Sequence, residues 1–88
     1  MIELHDANYR MMFRFASDLW ALSGSVYGHP RFEDGHFVFT SCPAIFDPDT
    51  DELITQSGSH YKIVSYDDDK EKTIAQIQKD ISEGYEVH

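Results

Sequence analysis

Asp47, Asp49 and Asp51 stand at alternate positions and are followed directly by Glu52, the spacing by which a calcium loop presents oxygens to its ion. Such a loop needs glycine at its sixth position and a bidentate glutamate at its twelfth. Glu52 and Gly58 occupy those positions here, so the stretch reads as an acidic turn. His29, His36, His60 and Cys42 are the other side chains that could hold a metal or move a proton. Their spacing is not that of any finger, knuckle or HExxH helix, and structural zinc sites usually show paired ligands a few residues apart. Ser41, Cys42, Ser57 and Ser59 could act as nucleophiles, but no elbow, phosphate loop or acid-base pair surrounds them. The sequence therefore predicts no enzyme, no cofactor and no metal site, with a histidine-based or metal-dependent enzyme at His29, His36 or His60 as the third-ranked alternative.

Charge is the stronger signal. Residues 1–32 carry three acids and three arginines, whereas residues 33–88 carry thirteen acids against four lysines, giving the whole formal charge of −9. Nucleic-acid affinity comes largely from Lys and Arg displacing counterions, so direct binding to DNA, RNA or an anionic membrane is disfavoured. A protein with a basic surface or groove is the partner this charge permits.

The 88 residues, 41% hydrophobic and 14% aromatic, are too apolar for a disordered acidic tail and suit a single domain over 1–88 with one thin core. One cysteine allows no internal disulfide, which fits a reducing compartment. No apolar stretch approaches the roughly 20 residues that cross a bilayer. The expected location is the cytoplasm.

Several elements must position these groups. Met11, Phe15, Leu19 and Leu22 have helical spacing behind a cap at Asp6 or Asn8, while Tyr9, Met11, Phe13 and Phe15 alternate as a strand would. Propensity and the cap favour a helix to about Ser17. Alternation from Leu19 to Val26 reads as a strand ended by Gly28-His29-Pro30. Glu33-Asp34-Gly35 reads as a tight hairpin turn before a strand from His36 to Ser41. Pro43 interrupts the return before Ala44-Ile45-Phe46.

A second hairpin follows, Glu52 to Gln56 and His60 to Tyr66 about Ser57-Gly58, with Tyr61 and Ile63 facing one way. Asp67, Asp68 and Asp69 supply the cap of a final helix whose stripe is Ile74, Ile77 and Ile81, stopped by Gly84. The predicted fold is α+β: an antiparallel meander of three to four strands between an N-terminal helix and a C-terminal amphipathic helix.

In an antiparallel hairpin the point where the first strand begins lies beside the point where the second ends. The turn at 47–52 and the helix start should therefore be neighbours. Asp47, Asp49, Asp51, Glu52, Asp67, Asp68 and Asp69 form the predicted partner-binding face. An alternative interaction surface is the aromatic set Trp20, Tyr27, Phe32 and Phe37, which would make the chain a homo-oligomeric module, with a homodimer as one form.

Trp20-x-Leu22-x-Gly24, Gly28-His29, Phe32-x-Asp34-Gly35, Thr40-Ser41, Thr55-x-Ser57-Gly58 and Tyr61 resemble the pattern of small bacteriophage and prophage proteins that have no assigned activity. The resemblance spans residues 20–61 and implies accessory work in a host cytoplasm, such as anti-CRISPR or anti-restriction inhibition. Joined to the charge, it gives the expected function: an acidic, non-enzymatic inhibitor that mimics nucleic acid and docks on a basic protein.

Overall fold

The computed structural model describes the backbone of residues 1–14 and 17–83, and the side chains of 1–9 and 21–83. The described residues form six strands and one helix: β1 (Ile2–Arg14), β2 (Ser17–Tyr27), β3 (His36–Phe39), β4 (Pro43–Asp47), β5 (Glu52–Thr55), β6 (His60–Ile63) and α1 (Lys70–Glu83). The strands make one sheet in the order β3-β2-β1-β6-β5-β4. Neighbours run antiparallel except β1 and β6, which are parallel with Ile2 opposite Tyr61 and Leu4 opposite Ile63.

This corrects the predicted fold in three respects. The segment expected as a helix over Asp6 to Ser17 is strand wherever it is described, in β1 as far as Arg14 and in β2 at Ser17, with residues 15 and 16 outside the described residues; the described strands number six, and the sheet is mixed instead of an antiparallel meander. Both periodicities fitted the first segment. Pairing decides between them, because β1 gains an antiparallel ladder with β2 from Glu3–Tyr27 to Arg14–Ser17 and a parallel one with β6, and tertiary pairing readily overrides a propensity difference of a few tenths of a kcal/mol per residue.

The sheet is curled. Only residues 40–42 separate β3 from β4, a stretch that carries the chain at most about 14 Å, whereas five strand spacings across a flat sheet would part those two edges by about 24 Å. At the corner, the Thr40 N–H donates to the Leu22 carbonyl (2.7 Å) and the Gln56 N–H to the Cys42 carbonyl (2.8 Å). The run 36–47 thus gives its first half to β2 and its second half to β5.

The core sits inside the curl, where Leu4, Ala7, Tyr9, Leu22, Val26, Val38, Leu53, Tyr61 and Ile63 meet Ile77 of α1. Leu4 and Ala7 are three residues apart, yet both point inward. A register shift between His5 and Asn8, with Asp6 at φ 55°, supplies the extra residue that makes this possible. Without that bulge Asp6 would face the core. Across from it, a Cβ at Gly24 would stand 2.5 Å from the His5 carbonyl oxygen, so only glycine lets β2 approach β1 there.

The C-terminal helix forms as its sequence indicates. Asp69 caps it, its Oδ1 accepting the Lys72 N–H at 3.1 Å. Ile77 is fully buried, with Ile81 packed beside it. Asp80 fastens the outer turns, accepting Tyr9 O–H and Gln76 Nε2–H, each at 2.9 Å. Gly84 lies outside the described residues.

Candidate acidic interface

The turn between β4 and β5 is stabilised by its own aspartates. Asp47 Oδ1 accepts the Asp49 N–H at 2.9 Å, the local bond that makes Asx residues good turn formers. Asp51 takes φ 57° in the left-handed region that aspartate tolerates better than most residues. Its carbonyl accepts the Ile63 N–H at 2.8 Å, holding the turn against the end of β6.

Asp51 also joins this turn to the start of α1. Its Oδ1 accepts the Tyr66 hydroxyl at 2.8 Å, and its Oδ2 lies 3.7 Å from Lys70 Nζ. Lys70 sits 5.5 Å from the centre of the Tyr66 ring, within cation–π range. Burial, then the hydrogen bond and negative charge of Asp51, push the Tyr66 phenol well above its ordinary value. Asp67 follows Tyr66 directly and donates its N–H to the Ala7 carbonyl at 3.0 Å. The turn and the acidic run before α1 are therefore at one end of the molecule.

The predicted residues divide by what occupies their carboxylates. Asp51 holds Tyr66 and Lys70, and Glu52 lies 3.2 Å from His60 Nε2. Asp69 caps α1, Asp68 Oδ1 accepts the Asp69 N–H at 2.8 Å, and Asp47 closes its turn. Asp49 and Asp67 are exposed and have no side-chain partner among the described residues.

Asp6 belongs to the same end, although no pattern of neighbouring residues marks it. Its N–H donates to Ser65 Oγ at 2.9 Å, and only the bulge places it there. Lys62, whose Nζ donates to the Thr50 carbonyl, joins Lys70 and Lys72 as local cations. Nine carboxylates (Asp6, Asp47, Asp49, Asp51, Glu52, Asp67, Asp68, Asp69 and Glu71) thus face three ammonium groups, a formal −6.

The described members of the aromatic set each have their own ring partners. Tyr27 packs edge-on to His5 at 4.5 Å, while Phe32 stacks on His36 at 5.0 Å with His29 edge-on at 4.8 Å. Phe37 instead meets Phe39, edge to face at 5.3 Å, and the Trp20 side chain lies outside the described residues. His60 pairs with Glu52, the His29 ring lies 6.4 Å from that of Tyr61, and Cys42 is buried. Among the described residues no three His, Cys, Asp or Glu side chains converge as metal ligands would.

No protein-family model, no curated protein and no solved structure matches the chain. No helix among the described residues is long and apolar enough to cross a membrane.

Proposed function

We propose that this chain is a non-enzymatic binding domain whose acidic end docks on a basic surface of another protein. Its partner contact is carried by Asp49, Asp67 and Asp68, with Asp47, Asp51, Glu52 and Asp69 supplying fixed negative potential behind them. The observation that supports this reading is the Asp51 bridge to Tyr66 and Lys70. It ties two acidic segments far apart in sequence into one rigid end and leaves Asp49 and Asp67 exposed. Preset charge of this kind speeds encounter with an opposite surface and makes the association sensitive to salt.

The class of partner is a nucleic-acid-processing or defence protein with a phosphate-binding groove, for which the acidic end stands in as a nucleic-acid mimic. The working compartment is the cytoplasm, that of the host if the chain is phage-encoded. The test is retention of a partner from host lysate on immobilised protein. The wild type should hold it at low salt and release it at high salt or to added duplex DNA, while an Asp49→Lys/Asp67→Lys/Asp68→Lys chain should hold none. Equal retention by that variant would refute the proposal. Asp51 is left intact because it braces the fold.

A further inference from the structure

We propose that β3 is a self-association edge, at which two copies of this chain pair antiparallel about a twofold axis at Val38. The two edge strands of the sheet are unlike. β4 begins with Pro43, has a register shift between Pro43 and Ile45, ends in Asp47 and packs against α1. Proline, bulge, charge and cover are the means by which edges are kept from pairing. β3 has none of them: it reads His36-Phe37-Val38-Phe39, and β2 is its one neighbour among the described residues.

Its outward groups can be assigned. The Thr40 N–H donates to the Leu22 carbonyl, and Val38 is opposite Gly24. Successive residues of an antiparallel ladder turn their polar groups to alternate sides, so Val38 and Thr40 face β2. The N–H and C=O of Phe37 and Phe39 then point away from the sheet, and no described residue meets them.

Setting Val38 against Val38 of a second copy brings Phe37 opposite Phe39 of that copy, and the reverse. All four outward groups on each side are then used, in four hydrogen bonds. The rings are suited to this arrangement: Phe37 is 53% and Phe39 50% exposed, and their neighbours on β2, Ser25 and Ser23, are too small to cover them. Cross-strand aromatic pairs of this kind stabilise antiparallel ladders.

Charge selects a second copy as the occupant. The chain has no Asp, Glu, Lys or Arg from Gly35 to Phe46, so the paired segment is neutral although the molecule carries −9. The free edge ends at Thr40, because the Gln56 N–H already takes the Cys42 carbonyl and Pro43 pairs with Thr55, so the paired stretch of 36–40 contains no carboxylate. A contact of about five residues a side is small beside a standard stable interface of roughly 1,600 Å², so a dissociation constant on the order of 10 µM is expected. The inference is independent of the acidic end.

Sedimentation equilibrium tests it. The wild type should show a concentration-dependent monomer–dimer equilibrium. A Phe37→Lys/Phe39→Lys chain sets like charges opposite each other twice and should dimerise at least about 100-fold more weakly, a loss of about 2.7 kcal/mol. A Phe37→Lys/Phe39→Glu chain sets opposite charges together twice and should regain the dimer, more weakly as salt rises. Both changes fall on exposed side chains, and unchanged melting temperature verifies folding. In a Cys42→Ser background, Phe37→Cys/Phe39→Cys should cross-link copies under mild oxidation, which reads the register without relying on charge. A wild type that stays monomeric to about 0.5 mM, fifty times the expected constant, overturns the proposal. So does equal dimerisation of the two charged variants, and so does a monomer that binds a synthetic extended apolar peptide, which would make the occupant a foreign strand.

Discussion

Leu19 to Pro30 and Gly35 to Phe46 contain no formally charged side chain, while the turn after β4 and the approach to α1 hold seven carboxylates within 23 residues. The first region, the β2–β3 wall, is held by close backbone approach and inward packing of Leu22, Val26 and Val38. The second is held by short polar bonds, Asp47 to Asp49, Asp51 to Tyr66 and Asp69 to Lys72. The wall should tolerate no added volume inside. The acidic end should tolerate charge reversal wherever a carboxylate is not already committed.

The largest effect is expected at Gly24. An added methyl would stand 2.5 Å from the His5 carbonyl and 3.0 Å from Leu4 Cδ1, so relief requires moving the bulged backbone of β1. Gly24→Ala should cost about 3 kcal/mol, the upper range for overpacking, as a lower urea midpoint. A midpoint within experimental error of wild type would mean that the wall is looser than its geometry implies.

Truncating Ile77 attacks the same core from the helix side. Ile77 is fully buried among Leu4, Ala7, Leu53 and their neighbours, and Ile77→Ala should destabilise by about 3 kcal/mol through lost transfer energy and a residual cavity. Calorimetry measures it. Ile74→Ala, at a half-buried position one turn earlier, should cost less than half as much. Equal losses at the two sites would contradict the assigned inward face of α1.

Their unequal legibility in sequence has a physical origin. α1 could be read because its evidence is local: Asp69 caps three residues ahead of Lys72, and Ile74, Ile77 and Ile81 repeat at the helical period. The β5–β6 hairpin could be read for the same reason, since Gly58 takes φ 90° at its turn and both Tyr61 and Ile63 are buried. The identity of β1 could not. Its apolar residues satisfy both periods, and its parallel partner β6 lies some 59 residues away, a pairing that leaves no mark on nearby residues. Asp6 was invisible as a member of the acidic end because only the bulge turns it outward. The nearness of the two acidic segments followed from hairpin geometry, but the use of Asp51 as their brace depends on Tyr66, which carried no signal of its own.

That brace gives the next effect. Tyr66→Phe removes a hydrogen bond to a carboxylate at a half-buried site and should cost about 1 kcal/mol. Asp51→Asn, keeping an acceptor but losing the ion pair with Lys70, should cost less. The pH dependence has a definite sign. Tyr61, raised by burial, and Tyr66, raised by burial and then by Asp51, keep their protons in the folded chain beyond the ordinary value of 10.0. Their contribution is fully present below pH 10 and is lost above it, as the unfolded chain releases protons that the folded one retains. Denaturation curves from pH 9 to 12 should therefore show falling stability, with a shallower fall in Tyr66→Phe.

The smallest effect on stability is expected where the effect on binding is largest. Asp49 and Asp68 are exposed, Asp49 has no side-chain partner among the described residues, and the one bond of Asp68 is to the adjacent N–H. Asp49→Lys/Asp68→Lys should leave the unfolding free energy within about 0.5 kcal/mol of wild type, because relief of repulsion among nine carboxylates offsets the lost local bond and the less favourable charge at the start of α1. Added salt separates these terms. Screening should stabilise the wild type more than the variant, since the repulsion it suppresses is mostly gone from the latter. If salt stabilised both chains equally, the charges at this end would be too far apart to act as one surface.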